Sequence, residues 1–169
     1  EEKLKELLGA VQSRLDCSHK FMETFRHPTI KICGITNVDD AQLCSQHGAA
    51  LLGLIFASSP RAVSVERAAQ IIRSLAPSKN ERSGTPKFVG VFRDQSLEEI
   101  ISISAKLALD GIQLHGKEDP EFCEELVSRL AAHGLEPFII KAIELDASID
   151  GFALSQEPNQ FLGIVDAFL

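Results

Sequence analysis

Apolar and polar positions change period repeatedly along this chain. Near the N-terminus Leu4, Leu7, Leu8, Val11 and Leu15 recur at helical spacing, Phe21 and Phe25 extend the stripe, and His27-Pro28 ends it. This predicts an N-terminal helical extension over 1–28 that carries no catalytic signature. From residue 29 onward short apolar runs replace the stripe. Ile30–Cys33, Leu51–Phe56, Phe88–Phe92, Gly111–His115, Phe138–Ile143 and Phe161–Val165 read as strands. The most continuous of these runs, Leu51–Phe56, suits a strand covered on both faces.

Polar stretches with their own punctuation separate the runs. Asn37 is a natural N-cap for a helix over Asp39–Gln46, and Asp39 and Asp40 sit where the helix dipole favours carboxylates. Ser64 caps a helix to about Leu75. Ser96-Leu97-Glu98-Glu99 is a capping box opening a helix to Leu107, and Asp119-Pro120 opens one that Gly134 closes. Pro77–Pro86 reads as a polar loop, and a short, weakly patterned helix is expected between the fifth and sixth strands. Strands alternating with helices mean βα units and a parallel sheet over 29–169. The pattern alone leaves an open sheet and a (β/α)8 barrel equally open.

Length and charge narrow the function. A chain of 169 residues suits one domain with a substantial core. A net charge of −7 argues against general affinity for nucleic acid or anionic membrane, although a local site can still be positive. No apolar run is long enough for a membrane span. The four cysteines, Cys17, Cys33, Cys44 and Cys123, show no metal-binding spacing and read as reduced thiols of a cytoplasmic protein.

The residues with chemical potential gather at the C-terminal ends of the predicted strands: Cys33, the segment after Phe56, Phe92-Arg93, His115, Lys141 and Asp166. In parallel α/β folds that end carries the chemistry. Each has a plainer reading. A cysteine on an apolar strand is usually a small core residue. Arg61 alone would be a solvated loop charge, Asp166 a loop-start carboxylate, and Lys141 could suggest a Schiff-base lysine.

Six stretches then form a series: Lys31-Ile32-Cys33-Gly34-Ile35-Thr36; Gly53-Leu54-Ile55-Phe56 with Ser59-Pro60-Arg61-Ala62-Val63-Ser64; Val89-Gly90-Val91-Phe92; Gln113-Leu114-His115-Gly116; Lys141-Ala142-Ile143; and Val165-Asp166-Ala167-Phe168. In order and spacing the series resembles the phosphoribosylanthranilate isomerase family. The resemblance implies a (β/α)8 TIM-barrel fold, of which about six βα units are expected here. It implies an Amadori rearrangement in tryptophan biosynthesis, on a small phosphorylated substrate, without metal or cofactor. It implies Cys33 as general base, Asp166 as general acid and Arg61 as the substrate-binding arginine, with His115 and Gln113 lining the same pocket. No nucleic-acid or membrane partner follows from it, and a homo-oligomer or a fusion to another tryptophan-pathway domain stays open. The family continues past its sixth strand with a Gly-Gly-Thr-Gly phosphate loop and two further units. The alternatives are therefore a truncated, non-catalytic barrel fragment that another segment completes, or another phosphosugar-binding barrel of the tryptophan or histidine pathways.

Overall fold

The computed structural model describes residues 29–75, 85–148, 151–154 and 156–169. The predicted extension over 1–28 and most of the Pro77–Pro86 loop lie outside them. Capping chemistry sets the helices as the sequence implies. The Asn37 side chain accepts the Asp40 N–H at 2.8 Å and starts α1 (Val38–Gln46). Ser64 accepts from Arg67 and starts α2 (Val65–Ser74), and Ser96 accepts from Glu99 and starts α3 (Leu97–Leu107). Glu99 takes a hydrogen bond from the Gln95 amide at 2.8 Å. Asp119 caps α4 (Pro120–Ala132) through the Phe122 N–H, with Pro120 in the first turn where its missing donor costs nothing.

Between the helices run β1 (Lys31–Cys33), β2 (Leu51–Ile55), β3 (Lys87–Phe92), β4 (Gly111–Leu114) and β5 (Phe138–Lys141). After β5 come an antiparallel pair, β6 (Leu145–Ser148) and β7 (Gly151–Leu154), a 3₁₀ turn (Pro158–Phe161) and the two-residue β8 (Ala167–Phe168). The main sheet is parallel throughout, in the order β1-β2-β3-β4-β5-β8.

Strand alternation divides the core. Leu52, Leu54, Phe88, Phe92, Ile112, Leu114 and Ile139 face the helices and pack with Ala41, Ala68, Ile71, Ile100, Leu126 and Leu130 in one cluster. Each fully buried Leu or Ile in that layer contributes roughly 1.5–3 kcal/mol. The alternate positions Leu51, Val89, Phe138 and Ile140, with Ala167 against them, form a second, smaller cluster on the other face. The sheet is thus covered on one face by helices, while its other face is lined by its own side chains.

Two predictions change at the C-terminal end. The expected helix after β5 is the β6–β7 pair, where Leu145-Asp146-Ala147-Ser148 alternates with period two. The expected strand Phe161–Val165 does not form. Phe161 closes the 3₁₀ turn, fully buried and edge-on to Phe168, and Gly163 turns the chain at φ +80°. The last strand therefore begins at Ala167, and Asp166 stands immediately before a strand rather than after one.

Candidate active site

Alternation along β1 places Lys31 and Cys33 on one face and Ile32 on the other. Cys33 pairs across the ladder with Gly53 of β2. A Cβ on Gly53 would lie 2.8 Å from the Cys33 Sγ and 3.2 Å from the Lys31 Nζ. The absent side chain leaves a space that thiol and ammonium both border. A partly exposed thiol beside a cation is the setting reactive cysteines occupy.

Gly34 then turns the chain at φ +87°, a conformation that a Cβ disfavours. The N–H groups of Gly34 and Ile35 both donate to the Gly53 carbonyl, at 2.9 and 3.1 Å. The bare face of Gly34 receives the Arg61 guanidinium, whose Nη1 and Nε lie 2.8 and 2.9 Å from where a Cβ would stand. Arg61 Nη1 also donates to the Cys33 carbonyl at 3.0 Å. The loop that brings it there is held by the Ser59 hydroxyl, which accepts the Arg61 N–H, and by a bridge between Ile55 and Ala62. The structure therefore brings Cys33 and Arg61 together, and Arg61 keeps guanidinium hydrogens facing solvent for an anion.

Gln113 and His115 occupy the corresponding place on β4. Gln113 is buried, and its Nε2 lies 2.8 Å from the His115 Nδ1. The His115 backbone N–H extends the β3 ladder by donating to the Phe92 carbonyl.

Lys141 ends β5 fully buried. Its ammonium donates to the Gly116 carbonyl at 2.8 Å and the Ala142 carbonyl at 3.0 Å, and faces Glu118 Oε2 at 3.3 Å. With three acceptors around it, the ammonium serves as a structural cation and does not support a Schiff-base lysine. Glu118, also buried, accepts in turn from the N–H groups of Asp94 and Gly116. Asp94 accepts the Lys117 N–H at 2.7 Å. The pair thus ties together the loops leaving β3, β4 and β5. Sequence reasoning passed over Glu118. Its signal was indirect: a lysine ending an apolar strand needs a buried carboxylate from a neighbouring loop.

Asp166 immediately precedes β8, whose register sets it level with Ile139 of β5, while Cys33 of β1 is in register through Gly53, Val89 and Gly111 with Phe138. The Asp166 carboxylate accepts the Ile139 N–H at 2.7 Å, and its own N–H donates to the Ile139 carbonyl at 2.8 Å. A cleft of about 310 Å³ where β3, β4 and β5 begin, between Lys87, Leu109, Asp110 and Phe138, contains none of the predicted site residues. A smaller one of about 190 Å³ lies by Asp94, Gln95 and Glu118.

Residues 30–167 match the family model described as N-(5'phosphoribosyl)anthranilate (PRA) isomerase. The chain is 38% identical over 122 residues to the N-(5'-phosphoribosyl)anthranilate isomerase of Thermotoga neapolitana, covering 72% of this chain and 53% of that protein. It is similar to the crystal structure of phosphoribosyl anthranilate isomerase from Thermus thermophilus, with 36% identity and a TM-score of 0.59, over 71% of this chain and 54% of that one. A third likeness, at 33% identity and TM-score 0.58 over 69% and 54%, is to a phosphoribosyl anthranilate isomerase crystallised with reduced 1-(o-carboxyphenylamino)-1-deoxyribulose 5-phosphate. The chain spans about half the length of the curated relatives it matches. Its six parallel strands form a curled half of the (β/α)8 barrel of those structures.

Proposed function

The chain belongs to the N-(5'-phosphoribosyl)anthranilate isomerase family, and from that membership we propose that it carries the base and the aromatic-acid anchor of an aldose-to-ketose isomerase site. The reaction converts N-(5-phosphoribosyl)anthranilate to 1-(2-carboxyphenylamino)-1-deoxyribulose 5-phosphate in tryptophan biosynthesis. An acid protonates the furanose ring oxygen, the ring opens to a Schiff base, a base removes the C2′ proton, and the resulting enolamine tautomerises to the ketone. Cys33, as thiolate, takes the C2′ proton. Arg61 grips the anthranilate carboxylate with the hydrogens left free by its bond to the Cys33 carbonyl. Lys31 adds positive charge for an anionic substrate. The neighbour holding a reduced carboxyphenylamino-deoxyribulose phosphate supports the substrate class.

The observation that carries the reading is the 3.0 Å hydrogen bond from Arg61 to the Cys33 carbonyl, which fixes an anion-binding fork on the backbone of the residue that bears the thiol. Asp166 supplies the acid in this reading, with one carboxylate oxygen held by the Ile139 N–H at 2.7 Å. A second form of the reading is that the half-barrel becomes competent only when the rest of the barrel is supplied. The open edges favour it: among the described residues β1 and β8 each pair on one side only, and Ile32 and Phe168 lie exposed there.

The test is turnover of N-(5-phosphoribosyl)anthranilate by the purified chain, alone and mixed with the C-terminal half of a family member. Activity on mixing only selects the second form; none in either condition rejects both. Where turnover is seen, Cys33→Ala should lower kcat by orders of magnitude and leave KM nearly unchanged. Equal turnover in that variant removes Cys33 as the base.

A further inference from the structure

Gln113 and His115 are two residues apart on β4, so they share the strand face that Val89 and Ile140 also line. Gln113 is 1% exposed, and among the described residues its side chain has one hydrogen-bonding neighbour, the His115 Nδ1 at 2.8 Å from its Nε2, while no donor among them reaches its buried Oε1. An amide nitrogen can only donate, so the Nδ1 that faces it must carry a lone pair. The reverse arrangement, with Oε1 accepting from Nδ1–H, would strand both amide hydrogens among apolar side chains. Buried N–H groups without an acceptor are rarer than under-satisfied carbonyls.

We infer that Gln113 is a positioning residue that holds His115 in the tautomer protonated at Nε2, so that the imidazole offers an N–H donor, not a lone pair, away from Gln113. This rests on the proposed isomerase reading for its meaning: His115 then donates a hydrogen bond to an oxygen of the phosphoribosyl substrate, and proton abstraction is left to Cys33. A lone pair at Nε2 would instead make His115 a competing base. The amide acts through the ring and touches no reacting atom.

Long-range proton–nitrogen correlation NMR on the ¹⁵N-labelled full chain tests it without any turnover. His115→Asn identifies the ring signals by their loss. At about pH 8, where free imidazole is neutral, the unmodified chain should show His115 with Nδ1 bare and Nε2 protonated. Gln113→Glu replaces the donor with a carboxylate that only accepts, so Nδ1 should become protonated. Gln113→Leu should lose the single-tautomer pattern and give a mixture. A protonated Nδ1 in the unmodified chain overturns the inference whatever the variants do. So does an unchanged pattern in Gln113→Glu with the backbone spectrum intact. A chain inactive both alone and mixed with the C-terminal half of a family member, but with the expected tautomer, would count against the isomerase reading and leave the tautomer assignment standing.

Discussion

Asp166 and Ile139 exchange two hydrogen bonds, carboxylate from amide at 2.7 Å and amide to carbonyl at 2.8 Å, just before β8 begins. Asp110 and Phe88 form the same pair before β4: the Asp110 carboxylate accepts the Phe88 N–H at 2.8 Å, and the Asp110 N–H donates to the Phe88 carbonyl at 3.0 Å. Phe88 and Ile139 are each the second residue of their strand. In both places the outward N–H would meet a carbonyl only if the neighbouring strand began one residue earlier, and an aspartate supplies the acceptor instead. Asp166→Ala should therefore cost about 1–3 kcal/mol, the range for leaving a buried donor unsatisfied. Asp166→Asn, which keeps an acceptor, should cost clearly less. Urea unfolding of the two variants checks this; equal stability of Asp166→Ala and the unmodified chain would show that the bond to Ile139 adds nothing to the fold.

The Lys141–Glu118 pair is buried on both sides, with side chains 0% and 2% exposed. Removing one member leaves the other charge in a dry environment, so Lys141→Met should destabilise by about 3–5 kcal/mol. Lys141→Met with Glu118→Leu together should cost less than the two singles combined. The shortfall stays partial, because Glu118 also holds the Asp94 and Gly116 amides. A denaturation cycle on the four proteins measures it, and strict additivity would contradict the network.

Gly34→Ala meets two obstacles, the φ of +87° and the Arg61 guanidinium 2.8 Å from the new Cβ. Backbone strain of this kind costs about 1–3 kcal/mol. Adding Arg61→Ala removes the collision and keeps the strain, so the double variant should lose less stability than the two singles predict. Thermal denaturation of the series separates the two effects.

Arg61→Lys should restore only part of the substrate affinity that Arg61→Ala loses, because an ammonium cannot form the two-pronged contact a carboxylate accepts. In an active assembly the change should appear in KM with kcat little altered. A large fall in kcat with constant KM would give Arg61 a part in the chemistry instead.

Acidification should weaken the tie between α3 and α4. Its own backbone N–H first, and then Arg129, hold the Glu98 carboxyl below the usual carboxylate range. A pKa depressed by folding adds stability that is complete above the unfolded value near 4.5 and fades as pH falls through the folded value. Urea midpoints should therefore be insensitive to Glu98 above about pH 5 and drop below it. The drop should be shallower in Arg129→Ala and in high salt, since the 2.7 Å pair is exposed.

The sequence by itself determined most of the framework. Asn37, Ser64, Ser96 and Asp119 announced their helices, because a cap depends on a side chain and the next three residues and needs no distant partner. The runs at Leu51 and Phe88 announced strands, and the motif series carried the family. What only tertiary structure decided involved partners far apart in the chain. Arg61 finds its place on Gly34 and the Cys33 carbonyl across 28 residues, and Glu118 is drawn in by Lys141 across 23. Asp166 followed the same rule. Its motif looked like a strand end until the burial of Phe161 and the turn at Gly163 moved the strand onward, so that Asp166 stands at a strand start and accepts the Ile139 N–H. Hydrophobic periodicity records which face a residue turns to the core, whereas the strand against which it is registered is settled by packing.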